Sequence, residues 1–255
     1  MSFPLENKNI LVTREKSQAK QFSDLLIERK ANPIEIPLLK IDCIPVSKQL
    51  SKMNFHQIEW IFFTSAHGVN CFIKQMKDHS LLENLKIATV GHKTELALKK
   101  FGFEADFIPS TYNAKVMAKE FLQTFPEANH LLLVRGNISR KELIEAFTKH
   151  GVTFDTITVY ETNLHLEMKE TLVNALNEHQ FDFLTFTSPS TVQAFYTIVK
   201  DEESFDKFLQ IPTVCIGTTT EKYALELGFQ RTYIPDTFTI ESMVEKMEQI
   251  VHMEG

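Results

Sequence analysis

The second half of the chain repeats a pattern found in the first half, and this duplication limits the folds that the sequence can adopt. The stretch FLTFTSPSTVQAF at residues 183–195 repeats WIFFTSAHGVNCF at residues 60–72, an offset of 123 residues. A second stretch around Gly217 repeats the stretch around Gly91 at an offset of 126 residues, without a gap. Repeats of about 20–50 residues indicate solenoids. A single doubling over this longer distance instead predicts two similar domains.

Short apolar strands and helical segments alternate through both halves of the chain. NILVTR at residues 9–14 and HLLLVR at residues 130–135 are continuous apolar runs, typical of strands buried on both faces of a parallel sheet. The alternation predicts four β-α-β units, at residues 9–41, 60–125, 130–162 and 183–250. Because a five-stranded doubly wound sheet needs two such units, we predict two α/β domains.

The pattern leaves the pairing of these units open. Neighbouring units could share a sheet, or the first unit could join the last while the middle two pair, so that the chain passes twice between domains.

Pro37 makes the segment at residues 34–41 an edge strand or a connector, since proline has no N–H to donate. Further strands are predicted at residues 106–108 and, with alternating faces, at residues 155–162.

The composition is that of an ordinary globular protein and limits the compartment and the partners. Hydrophobic residues make up 43% and charged residues 24% of the 255 residues, and the net charge of −6 argues against a nucleic-acid partner. No apolar run approaches the roughly 20 residues that span a bilayer, and no signal peptide is evident, so we expect a cytoplasmic protein without a membrane partner. Cys43, Cys71 and Cys215 are predicted to be separate thiols, the last two in the core.

Hydroxyl groups and glycines recur where the predicted strands end and the helices begin. In open α/β sheets the ligand binds at this edge, and the N–H groups of a helix N-terminus attract carboxylates and phosphates. We therefore expect a cleft between the two domains that binds an anionic ligand. The candidate residues are Ser65, His67, Thr94, Ser188, Ser190, Thr219 and Thr220.

The alternative is that these residues only cap helices. Ser188 followed by Pro189 is a typical N-cap with proline at the first helical position, and Thr218 with Glu221 predicts a capping box. For any single turn, capping is the simpler explanation. Four equivalent turns on two domains strengthen the hypothesis of a binding site.

Tyr160 and two arginines are further candidates. Tyr160 lies on the polar face of its predicted strand, beside Thr158 and Thr162, where its phenol could donate a proton to a leaving group. Anchoring of the strand end by its hydroxyl is the alternative. Arg14 and Arg135 end equivalent strands and could bind carboxylates or pair structurally.

The sequence contains no GxGxxG, GxxxxGK[ST], HExxH or GxSxG motif.

Taken in order, the motifs resemble those of the uroporphyrinogen-III synthase family. They are VTR, FTS, VGHKTELAL, VRG, TVYET, FTSPSTV, IGTTT and a late IP followed by threonine, and they extend over essentially the whole chain. The resemblance implies two flavodoxin-like domains, each with a doubly wound parallel five-stranded sheet, joined by a two-strand hinge with the crossed pairing. Domain 1 would comprise residues 1–37 and 166–255 and domain 2 residues 42–162, with connectors at 38–41 and 163–165.

The resemblance also implies a reaction. The linear tetrapyrrole hydroxymethylbilane would be closed to uroporphyrinogen III, with loss of water and inversion of ring D through a spiro intermediate, and without a metal or organic cofactor. Tyr160 matches the tyrosine proposed to help water leave, and His67 stands where many members have arginine. The positions that match the family's substrate-binding residues are Ser65, Thr94, Ser188, Ser190, Thr219 and Thr220, and Arg14 completes our candidate set.

We therefore expect a monomeric, cofactor-independent lyase that binds a polycarboxylate small molecule. Transient contact with the preceding enzyme of the pathway is expected as well. The alternative is a hinged two-lobed protein that binds a small polyanion without turning it over. The appearance of product separates the two hypotheses.

Overall fold

The protein is described by a computed structural model, which covers residues 3–139 and 141–254. The strands are β1 (Asn9–Val12), β2 (Asn32–Glu35), β3 (Leu39–Cys43), β4 (Trp60–Phe63), β5 (Lys86–Thr89), β6 (Leu131–Gly136), β7 (Phe154–Leu164), β8 (Phe183–Phe186), β9 (Thr213–Cys215) and β10 (Thr232–Tyr233). The helices are α1 (Lys16–Glu28), α2 (Ser47–Leu50), α3 (Ala66–Ile73), α4 (His92–Lys99), α5 (Ala114–Thr124), α6 (Glu142–Lys149), α7 (Lys169–Glu178), α8 (Pro189–Val199), α9 (Phe205–Phe208), α10 (Thr218–Glu226) and α11 (Ile240–Glu254).

The strands form two five-stranded sheets that use the crossed pairing. One sheet has the order β10-β9-β8-β1-β2 and the other the order β3-β7-β6-β4-β5. Strand β1 pairs in parallel with both β2 and β8, so the first β-α-β unit of the sequence joins the last one. The prediction of two doubly wound α/β domains is confirmed, and the pairing that the pattern left open is decided.

The chain divides into two compact units. Unit 1 comprises residues 1–40 and 163–255, and unit 2 comprises residues 41–162. The chain therefore passes from one unit to the other within β3 and again within β7.

Each sheet buries both faces, as the continuous apolar strands predict. In β4, Trp60 and Phe62 belong to one apolar cluster, whereas Ile61 and Phe63 belong to another. Successive side chains of a strand point to opposite faces, so a strand without polar positions needs cover on both sides. The helices of each unit supply that cover.

The segment at residues 34–41 holds the end of β2 and the start of β3, with Pro37 between them, and both are edge strands, as the proline predicts. One predicted strand is wrong. The strand predicted at residues 106–108 is reduced to a single bridge between Ala88 and Phe107. There the carboxylate of Asp106 accepts the Ile87 N–H at 2.7 Å, so a side chain replaces part of the backbone ladder.

The expectation of three separate thiols is also wrong. Cys43 at the end of β3 and Cys71 in α3 form a disulfide, with the two Cα atoms 5.4 Å apart. The sequence showed no pairing because the two residues are 28 positions apart and meet only in the folded unit. Cys215 is free and buried in the core as predicted, and burial raises the pKa of its thiol to about 12.

We predict that Cys43→Ser lowers the free energy of unfolding by about 3–4 kcal/mol, because the disulfide restricts a 28-residue loop in the unfolded chain. Urea unfolding under oxidising conditions measures the difference. Dithiothreitol provides the matched control, since it should make the wild type as unstable as the variant. Equal stability of the oxidised and reduced wild type would contradict the prediction.

Candidate functional site

Tyr160 is held in β7 by an irregular register with β6. Arg135 pairs with Thr158, but the next residue, Gly136, pairs with Tyr160, so one residue of β7 is passed over. The Tyr160 side chain is only 9% exposed and packs in the same apolar cluster as Val159. The prediction that Tyr160 lies on a polar face is therefore wrong, because the bulge interrupts the alternation of faces.

The Tyr160 hydroxyl belongs to a short chain of hydrogen bonds. The Gly68 N–H donates to Ser65 Oγ at 3.0 Å, and Ser65 Oγ donates to the Tyr160 hydroxyl oxygen, also at 3.0 Å. Ser65 is the N-cap of α3, so the cap and the tyrosine contact are made by one side chain. The ring of His67, in the first turn of α3, lies 5.9 Å from the Tyr160 ring between centroids.

The backbone after β6 fixes the position of the tyrosine ring. A Cβ atom placed on Gly136 would lie 2.4 Å from two carbons of the Tyr160 ring, so only glycine fits there. The next residue, Asn137, donates its N–H to the Tyr160 carbonyl, and its Oδ1 accepts the Thr162 N–H at 2.9 Å. The chain at Tyr160 and just after it is thereby attached to the turn at residues 136–139.

Tyr160 lines a cavity of about 400 Å³ at the carboxyl ends of the strands of unit 2. The cavity is also lined by Thr64 after β4, Val90 after β5 and Arg135 in β6. Tyr112, which is 57% exposed, forms another part of the wall. Among the described residues that line the cavity, Arg135 is the one with a charged side chain.

The structure brings three of the predicted site residues together within unit 2. Tyr160, Ser65 and His67 meet in unit 2, as described above. Thr94 belongs to the same unit, but its side chain is 4% exposed in the first turn of α4. The remaining five lie in unit 1: Arg14, Ser188, Ser190, Thr219 and Thr220.

Arg14 lies just after β1 and is half-buried. Its Nη2 donates to Gln18 Oε1 at 2.8 Å, and its Nε is buried without an acceptor in the part of the chain that the structure describes. Burial lowers the pKa of Arg14, and the carboxylate of Glu241 opposes this effect more weakly. Arg14 belongs to unit 1, whereas Tyr160 belongs to unit 2.

The helix starts of unit 1 follow two capping patterns. Ser188 is the N-cap of α8, with Pro189 in the first turn, and its Oγ accepts the Thr191 N–H at 3.2 Å, as predicted. The capping box predicted at Thr218 is wrong, because Gly217 is the N-cap of α10 and has no side chain to accept a hydrogen bond. Helix α4 in unit 2 also starts at a glycine, Gly91. These two helix starts leave their first N–H groups for water or a ligand.

The sequence prediction missed several residues that shape the cavity. Arg135 was considered together with Arg14, but its place beside Tyr160 depends on the register shift. Tyr112 was missed, although the repeat offered a signal, since Phe238 follows it by 126 residues. Gly136 had no signal beyond its place in VRG, because the need for glycine arises from the Tyr160 ring.

The described residues offer neither a metal site nor a membrane-spanning helix. No group of three or more histidine, cysteine or acidic side chains could hold a metal ion among the described residues. Within those same residues, no helix combines the length and the apolar character that crossing a membrane requires.

Comparisons with known proteins find relatives along almost the whole chain. The family model described as uroporphyrinogen-III synthase HemD matches residues 20–245. A porphyrin biosynthesis protein HemD of Ruminiclostridium josui is 28% identical over 256 residues, which cover 98% of this chain and 50% of that protein. A putative uroporphyrinogen-III synthase of Methanocaldococcus jannaschii is 31% identical over 248 residues, which cover 92% of this chain and 96% of that protein.

This chain thus spans half the length of the first of these relatives and nearly all of the second. A solved structure adds evidence on the fold. The crystal structure of uroporphyrinogen-III synthetase from Helicobacter pylori 26695 matches with a TM-score of 0.66 at 18% identity, covering 96% of this chain and 99% of that one. The two chains therefore share the two-domain α/β fold.

We predict that Gly136→Ala lowers the free energy of unfolding by about 1–3 kcal/mol, because its Cβ atom would collide with the Tyr160 ring. Urea unfolding measures the loss. Introducing the same change into a Tyr160→Ala background is the matched control, since the colliding ring is then absent and most of the loss should disappear. An equal loss in both backgrounds would show that Gly136 is needed for another reason.

Proposed function

Because this chain belongs to the uroporphyrinogen-III synthase family, we propose that it closes hydroxymethylbilane to uroporphyrinogen III with inversion of ring D. The observation that carries the proposal is Tyr160, which lines a cavity of about 400 Å³ and whose hydroxyl accepts a hydrogen bond from Ser65. A phenol that lines a cavity can act on a ligand bound there.

In the proposed reaction, Tyr160 donates its proton to the hydroxyl group of the substrate. The carbon–oxygen bond breaks, water leaves, and the pyrrole nitrogen supplies the electron pair, which gives an azafulvenium cation. Release of the pyrrole N–H proton to water then gives the neutral azafulvene. Ser65 stabilises the developing phenolate, because its Oγ already donates to the Tyr160 oxygen at 3.0 Å. The Gly68 N–H polarises Ser65 in the same direction.

The ring closure itself requires control of conformation more than a strong nucleophile. The substituted carbon of ring D attacks the azafulvene to give the spiro intermediate, which fragments and recloses with ring D inverted. The closure involves no net oxidation, so it needs no redox partner. Positioning of the flexible bilane is the contribution that we assign to the protein, by holding the reacting atoms close together.

The protein positions the substrate by binding its carboxylate groups. The N–H groups at the starts of α4 and α10 are not taken by a side-chain cap, and such groups attract anions. The proposal assigns substrate contacts to Thr219, which is exposed in the first turn of α10, and to Ser190 in the first turn of α8. Arg14 and His67 stay in the proposed set as cationic or polar contacts.

We also propose a monomeric enzyme that works in the cytoplasm without a nucleic-acid or membrane partner.

We expect the protein to produce type III uroporphyrinogen from freshly prepared hydroxymethylbilane. Short incubation, oxidation and chromatographic separation of the type I and type III uroporphyrins measure the result. Heat-denatured protein is the control for spontaneous closure, which occurs without inversion. Type I product alone, at the spontaneous rate, would contradict the proposal.

We expect Tyr160→Phe to lower kcat by about 100-fold, with little change in KM, because it removes the proton donor and keeps the ring. Ser65→Ala should lower kcat by a smaller factor, about 10-fold, since the donor to the phenol oxygen is lost. Combining the two changes gives the control. If Ser65 acts through Tyr160, adding Ser65→Ala to Tyr160→Phe should have almost no further effect. A full additional 10-fold loss would assign Ser65 an independent role.

A further inference from the structure

Arg135 holds a positive charge beside Tyr160 without a carboxylate partner. Its guanidinium Nη2 donates to the Ser139 carbonyl at 2.9 Å, and its Nε donates to the Gly136 carbonyl at 3.4 Å. Among the described residues, no carboxylate lies within ion-pair distance of Arg135. Since a guanidinium has five N–H donors, it keeps further donors for a ligand.

The two carbonyl contacts orient the guanidinium and leave its charge uncompensated. Carbonyl groups accept hydrogen bonds without supplying a negative charge, and the half-buried position keeps part of the side chain from water. A partly desolvated arginine with a fixed orientation is suited to a bidentate contact with a carboxylate. Arg135 therefore favours binding of a ligand with at least one carboxylate group in this cavity.

The size of the cavity limits what it can hold. Small-molecule sites usually run from about 300 to 1,000 Å³, and the cavity of 400 Å³ lies near the lower end. That volume is large enough for one substituted pyrrole ring. Tyr112 and Ile138, which are 57% and 58% exposed, supply the apolar wall against which such a ring can lie.

We propose that this cavity binds the terminal pyrrole ring that carries the hydroxymethyl group, and that Arg135 binds a carboxylate of that ring. The inference rests on the proposed function, because it uses the role of Tyr160 in the departure of water. The ring bearing the leaving hydroxyl must lie beside Tyr160, and Arg135 lines the same cavity. A carboxylate bound by Arg135 therefore fixes the position of the hydroxymethyl group relative to the phenol. Arg135 is a binding residue in this scheme and takes no part in proton transfer.

Binding of an unreactive ligand tests the inference. The probe is the bilane in which a methyl group replaces the hydroxymethyl group, so that no azafulvene can form. We expect Arg135→Gln to weaken its affinity by about 10- to 100-fold in calorimetric titrations, the effect of losing a charge-assisted hydrogen bond. Arg29→Gln is the matched control, because it removes the same charge from a surface ion pair with Glu248 and should leave affinity unchanged.

Two analogues of the probe separate ligand binding from a structural role of Arg135. One carries a neutral amide in place of the acetate carboxylate of the terminal ring, and the other in place of its propionate carboxylate. With one of the two, wild type and Arg135→Gln should bind equally well, because the carboxylate that Arg135 would contact is absent. A penalty of the same size with the probe and both analogues would overturn the inference, since Arg135 would then only hold the turn at residues 136–139. Unchanged affinity of Arg135→Gln for the probe would overturn it as well.

The isomer assay on the wild type separates this inference from the proposed function. If the wild type forms type III product while Arg135→Gln binds the probe normally, only the assignment of Arg135 fails. If the wild type forms no type III product, the proposed function fails, and the inference fails with it.

Discussion

The site in unit 2 depends on the register shift between β6 and β7. Because Arg135 pairs with Thr158 and Gly136 with Tyr160, the Tyr160 ring turns toward Gly136 and packs against its bare Cα. Without the shift, the alternation of β7 would place the ring with Thr158 and Thr162 on one face. The bulge thus moves a phenol from a regular sheet face into the wall of the cavity that Arg135 also lines. Bulges of this kind commonly re-aim a side chain beside a site.

The contacts that maintain this arrangement come from the turn that follows β6. Asn137 binds the β7 backbone at the Tyr160 carbonyl and at the Thr162 N–H. The Ser139 carbonyl accepts from Arg135, and the Ser139 hydroxyl accepts the Gly136 N–H at 2.9 Å. The same short segment therefore positions the phenol and the guanidinium. Each of these contacts has a backbone atom on at least one side, so the geometry depends on the course of the chain after β6 as well as on the Asn137 and Ser139 side chains.

The sequence was sufficient to predict most of the fold and part of the site. Apolar strands such as β4 and β8, and caps such as Ser188, depend on local patterns, which is why they could be predicted. The Cys43–Cys71 disulfide, the packing of Tyr160 and the partners of Arg135 depend on residues that meet only after the sheet has formed. The pairing of the β-α-β units is a long-range property for the same reason, and it followed from the family resemblance alone.

The internal duplication helps to separate the inherited scaffold from the residues that carry specific chemistry. Tyr112 packs over Gly91 in unit 2, and Phe238 packs over Gly217 in unit 1 at the equivalent place of the repeat. A contact made twice is explained by the common scaffold, so the position of Tyr112 alone does not indicate a ligand. The phenol of Tyr160 and its bond from Ser65 belong to unit 2, whereas Ser188, the counterpart of Ser65, bonds to Thr191 within its own helix. The chemistry is therefore assigned to the features that the repeat does not share.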